Sequence, residues 1–144
     1  MKNNFKIIFL VFCFVNFYNS VLCANSIYFN EGKKFFNEKN FKESKFLFEK
    51  DIVFNPKSEG AYLYLAKIFK EEKNDDLEEN NLKTVLLLNP KNEEAIYLLT
   101  LLNIRRSNFS EAKELIDTFS KVCKELCTSK KNLEIKLNSS LRSK

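Results

Sequence analysis

Residues 88–97 read LNPKNEEAIY, and residues 54–62 read FNPKSEGAY. These phrases hold the two prolines of a 144-residue chain, Pro56 and Pro90, which stand 34 residues apart. A proline has no N–H with which to continue the helix before it, so each phrase ends one helical stretch and lets another begin. Ser58 and Asn92 follow as N-caps. Glu59, Glu93 and Glu94 come next, in the first turn, where the helix dipole favours negative charge. The phrase is a joint between modules.

With the prolines in register, Tyr28 aligns with Tyr62, Gly32 with Ala66, Phe35 with Phe69, Phe48 with Leu82, and Ile52 with Leu86. A third copy starts after Pro90. There Ile96, Thr100, Asn103, Phe109, Ala112, Ile116 and Phe119 fall at the corresponding places, and Lys124 replaces the proline. Apolar residues recur within each copy at three- and four-residue steps, as amphipathic helices require. The polar breaks NEKN at 37–40, EEKND at 71–75 and RRSN at 105–108 divide each copy into two helices. With only two Gly and two Pro there is little material for β-hairpins, and an all-α chain is expected.

These copies resemble the tetratricopeptide repeat family, a 34-residue helix–turn–helix unit. Tyr28, Gly32, Phe35, Ser44, Phe48 and Pro56 meet the family pattern in the first copy. Tyr62, Leu65, Ala66, Phe69 and Pro90 meet it in the second, as do Phe109 and Ala112 in the third. Asp75 and Glu78 stand where an aromatic and a small residue belong, so the DDLEEN stretch is expected to pack loosely. Asn103 replaces an aromatic. The resemblance implies a short right-handed α-solenoid of three repeats, 25–58, 59–92 and 93–126. A basic tail follows at 127–144. Either the tail is disordered or its LEIKL segment at 133–137 caps the exposed end of the last repeat.

The beginning of the chain reads as an address. A basic start is followed by an apolar run from Ile7 to Val15 and a more polar exit, so residues 1–24 form a secretory signal or an uncleaved membrane anchor. Cutting after Cys23 leaves Cys23 and Val21 at the positions where a peptidase needs small residues; cutting after Ala24 leaves Ala24 and Leu22, a poorer fit. Leu22 also suits lipid attachment at Cys23 poorly. Export implies a periplasmic or envelope location. Cys123 and Cys127 persist in the exported chain and form either a disulfide, which requires the helix to unwind there, or two free thiols.

Several chemistries are excluded or disfavoured. The net charge is +5, but with Lys2, Lys6 and the basic tail set aside residues 24–127 carry about −1, which argues against nucleic acid. There is no histidine, so histidine-dependent nucleophile systems and imidazole metal sites are ruled out. Two glycines cannot write a phosphate-cradling loop. The acidic pairs at 71–72, 75–76 and 78–79 read as a solvated helix face. No catalytic residue, metal or cofactor is expected.

In the family, the first helix of each repeat lines a concave surface that binds partner segments. By that implication the groove holds Phe29, Lys33 and Phe36, then Leu63, Lys67 and Lys70, then Tyr97, Leu101, Ile104 and Arg105. About a third of the apolar members are expected to pack against a neighbouring helix instead. Such a wall suits an extended peptide or amphipathic helix with apolar anchors and some carboxylates. One subclass clamps a C-terminal carboxylate through basic positions. Here those are Phe29, Lys33, Tyr64, Glu94 and Leu98, and only one is basic, so that activity does not carry over. The expectation is an exported, non-catalytic scaffold for another protein in a bacterial envelope assembly. The alternative is a membrane-associated structural protein held by its N-terminus or basic tail.

Overall fold

Three helical hairpins follow one another: α1 (Ile27–Asn37) with α2 (Phe41–Phe54), α3 (Glu59–Glu71) with α4 (Asp75–Leu88), and α5 (Glu93–Arg105) with α6 (Phe109–Val122). A seventh helix, α7 (Ser129–Arg142), closes the array. This computed structural model describes residues 26–142, and no strand occurs among them. The expected signal or anchor, with Cys13 and Cys23, lies outside the described residues. Helices α1, α3 and α5 form one layer of the solenoid and α2, α4 and α6 the other.

One residue shapes the turn inside each hairpin. Lys39, Lys73 and Ser107 have φ of 59°, 56° and 62°, the left-handed region that glycine usually fills. The Lys39 N–H donates to the Phe36 carbonyl and the Asn40 N–H to the Phe35 carbonyl, which closes the last turn of α1. The same two bonds recur at Lys73 and Asn74 and at Ser107 and Asn108. Asn40 and Asn74 then cap the helices that follow, accepting from the Glu43 N–H at 3.4 Å and the Leu77 N–H at 3.2 Å.

The joints are polar fasteners. Asp51 is fully buried and accepts the hydroxyls of Ser26 and, at 2.5 Å, Ser58. Ser58 stands at the N-cap of α3 and donates its hydroxyl to Asp51 but makes no side-chain cap bond, whereas Ser26 both donates to Asp51 and accepts from the Phe29 N–H at 3.1 Å. Asn92 does cap, accepting from the Ala95 N–H at 2.7 Å. Glu59 reaches forward to the next joint, accepting from the side-chain amides of Asn89, at 3.0 Å, and Asn92. One repeat later Glu93 makes the equivalent reach. It accepts from the backbone N–H groups of Lys124 at 2.7 Å, Glu125 at 3.1 Å and Leu126 at 2.8 Å. Helix α6 stops at Val122, and a disulfide between Cys123 and Cys127 closes the loop that carries those three donors.

The core runs the length of the stack in three clusters. Phe29, Phe48, Ala61, Leu65, Ile68 and Phe69 join the first two hairpins. Leu63, Ala66, Leu82, Val85, Leu98, Leu99 and Leu102 join the second and third. In the last cluster Ile96, Ala112, Ile116 and Phe119 meet Leu133 and Leu137 of α7. The LEIKL segment therefore lies in a helix over the end of the third repeat. Both glycines sit where a ring lies on backbone: a Cβ on Gly32 would meet Phe48 at 2.8 Å, and one on Gly60 would meet Phe29 at 2.7 Å.

Two outcomes are expected. A non-glycine residue at positive φ costs about 1–2 kcal/mol, part of which glycine loses again to its freedom in the unfolded chain. Lys73→Gly should therefore stabilise the protein by about 0.5–1 kcal/mol in urea unfolding, whereas Lys42→Gly, inside α2, should destabilise it by about 1. The Glu93 carboxyl is held below its usual range by the backbone N–H of Leu126 first, then those of Lys124 and Glu125. Its contact is thus complete above the ordinary glutamate pKa and lost as pH falls through the depressed value. Amide shifts of Lys124 and Leu126, followed by NMR on acidification, should move only below the ordinary carboxylate range, and Glu93→Gln should abolish the transition.

Candidate partner-binding groove

The inner faces of α1, α3 and α5 carry the residues that the sequence assigns to a groove, and they divide into two groups. At the α1–α3 end Tyr64 is the hub. Its ring lies 5.0 Å from Phe36, 5.9 Å from Phe29 and 5.0 Å from Phe48, centroid to centroid. Lys67 stands 4.6 Å above the Tyr64 ring and Lys33 6.0 Å from it. The electron-rich face of the ring attracts both cations. Lys67 also pairs with Glu94 of α5 at 2.7 Å, so α3 and α5 are tied across the wall.

At the other end Lys70, Leu101, Ile104 and Arg105 come together, joined by Lys136, Ser139 and Ser140 of α7. Not every assigned residue faces outward. Phe29, Leu63 and Ile104 are buried in the stack. Tyr97 is half-buried and turns toward Phe119, 6.3 Å away between ring centroids. Phe36, Lys33, Lys67, Lys70 and Leu101 are partly accessible, and Arg105 is exposed. Tyr64 and Glu94, weighed in the sequence only as clamp positions, prove central to the wall. A tyrosine one position beyond the buried Leu63 on α3 is the signal that could have marked it.

The acidic start of α4 departs from expectation. Asp75, Asp76, Glu78 and Glu79 are all ion-paired, and Glu78 is buried, whereas the Asp76 side chain stays 86% exposed. Glu78 is only 2% exposed and accepts from Arg105 at 2.6 Å; Arg105 also donates to Asp75 at 2.7 Å. Arg106 pairs with Glu79 at 2.5 Å and with Asp76. These arginines end α5 where the dipole favours cations, and the acids begin α4 where it favours anions, so the cluster suits both termini. It fastens the second repeat to the third where the family pattern asks for aromatic packing. Arg105 lowers the Asp75 pKa chiefly through its hydrogen bond, while burial raises that of Glu78 against the pull of the same arginine.

No family profile and no curated protein matches the sequence. Solved structures do match the fold. The first TPR domain of Spaghetti (RPAP3), bound to the HSP90 peptide SRMEEVD, superposes with a TM-score of 0.71 at 16% identity, covering 81% of this chain and 94% of that one. The C-terminal TPR-containing domain of a Plasmodium falciparum FK506-binding protein gives 0.66 at 17%, covering 81% and 85%. The Sgt2 TPR domain of Aspergillus fumigatus gives 0.64 at 13%, covering 81% and 76%. The fold is therefore an all-α, TPR-like solenoid.

Removing one member of a buried ion pair strands the other, at a cost of about 3–5 kcal/mol when both are buried. Arg105 is partly exposed, which reduces that to about 2 kcal/mol for Arg105→Ala. Adding Glu78→Ala should recover at least about 1 kcal/mol of the loss. A urea-unfolding double-mutant cycle checks this coupling, and strictly additive effects would contradict it.

Proposed function

We propose that this chain is an exported, non-catalytic adaptor that holds an extended or helical segment of another protein in its inner groove. The observation that carries the reading is the wall itself. Aromatic surface from Phe36 and Tyr64 and aliphatic surface from Leu101 are interleaved with Lys33, Lys67 and Lys70. Apolar anchors of a partner would supply most of the affinity, about 1.5–3 kcal/mol each when fully buried, and its carboxylates would supply direction. The RPAP3 domain, seen with an acidic peptide bound, supports a peptide-holding role for this shape. Recognition of a free C-terminus is not carried over, because only Lys33 is basic among the clamp positions Phe29, Lys33, Tyr64, Glu94 and Leu98.

Export rests on the layout of residues 1–24, and service in an envelope assembly rests on export. One observation favours retention at a membrane as a second reading. Ile27, Val53 and Phe54 are 74%, 74% and 68% exposed near the start of α1, where residues 1–25 join the fold, and Lys57 lies exposed nearby. Fractionation separates the two readings: soluble release is expected of the adaptor, and a pellet resistant to carbonate indicates an anchor.

A photo-crosslinking phenylalanine at Phe36 or Leu101 should yield a discrete adduct in the native cell. The same group at Phe46, exposed on α2, should yield none. Adducts from Phe46 alone would overturn the groove.

A further inference from the structure

The inner wall continues past the third repeat. Helix α7 buries Leu133 and Leu137 in the last cluster, which turns Lys136, Ser139 and Ser140 toward α5. With Lys70 of α3 and Leu101, Ile104 and Arg105 of α5 they line an open pocket of about 300 Å³. That is the lower end of the size range of ligand pockets, room for one or two side chains. Its apolar lining comes from Leu101 and Ile104, and three cations from three different helices surround it.

The cations are not equivalent. Arg105 is committed to Asp75 and Glu78. The charge of Lys70 is felt by Glu78, but neither Lys70 nor Lys136 makes an ion pair among the described residues. The pocket thus has positive charge to spare above an aliphatic lining. A free inorganic anion would leave that lining unused, whereas a peptide segment would engage both.

We propose that this pocket is a subsite for an acidic side chain with an aliphatic neighbour in the partner segment. The carboxylate lies between Lys70 and Lys136, and the aliphatic side chain rests on Leu101 and Ile104. The proposal builds on the groove reading and adds two things. It names the chemistry of the partner at one end of the groove, and it makes α7 part of the binding surface as well as a cap. In an extended segment side chains two residues apart share a face, so an acid and the aliphatic residue two places from it can enter the pocket together.

The test is selection of random peptides displayed on phage, run on the full chain and on two double variants, Lys70→Gln/Lys136→Gln and Lys70→Glu/Lys136→Glu. The glutamine pair keeps similar side-chain bulk and guards against misfolding, which circular dichroism checks. The native chain should enrich peptides with Asp or Glu close to Leu, Ile, Val or Met. A selected peptide should bind the glutamine variant about five- to tenfold more weakly, as the loss of two partly exposed charge pairs implies, and the glutamate variant more weakly still. Equal binding of the acidic peptides to all three chains overturns the subsite. So does enrichment of apolar sequences without acid preference, which leaves the groove itself standing. Failure of any peptide to enrich contradicts the groove reading as well.

Discussion

A pair of short helices cannot hide its apolar faces alone, and every hairpin here is stable only against its neighbour. The constraint on which the structure depends is that neighbours meet in one register. Polar contacts at the joint end set that register: Asp51 gathers Ser26 and Ser58, Glu59 reaches Asn89 and Asn92, and Glu93 reaches the backbone of 124–126. Each is satisfied only when the next joint stands in its place. A slip would take Ser58, one of its two donors, from buried Asp51, and leaving a buried carboxylate oxygen unpaired costs more than the net worth of the bond itself.

The opposite end of the stack is fastened differently. Where the first repeat packs Phe36 against Phe41, the second begins α4 with acids and meets Arg105 and Arg106 of the third. Charge replaces ring packing at that contact. It also shapes the inner wall, because Arg105 is drawn toward Asp75 and Glu78, and Lys70 and Lys136 supply the wall's spare positive charge. Fold and inner wall are therefore coupled: the residues that align the second and third repeats also decide which cations the wall presents.

Much of this was legible in the sequence because repetition makes weak signals add. The prolines at 34-residue spacing, the small residues at Gly32, Ala66 and Ala112, and the polar breaks each placed an element correctly. What was not legible depended on contacts between repeats. Ser58 looks like a cap, but its hydroxyl serves the buried Asp51 and makes no cap bond. DDLEEN looks solvated until α5 brings two arginines over it. Gly60 has no place in the periodic pattern, and its role appears only with the Phe29 ring against it. In the groove, apolar period alone could not separate Phe29, Leu63 and Ile104, which are buried, from Phe36 and Leu101, which are accessible.

The central claim is that three hairpins stack in one register and thereby build a continuous inner wall. Spin labels placed at Lys42 and Ser110, equivalent exposed positions at the starts of α2 and α6, test it without knowledge of any partner. Helices pack at about 8–10 Å, so two repeat steps predict a narrow distance distribution centred at roughly 20 Å. A broad distribution, or one centred well beyond about 35 Å, would mean that the hairpins do not stack in register.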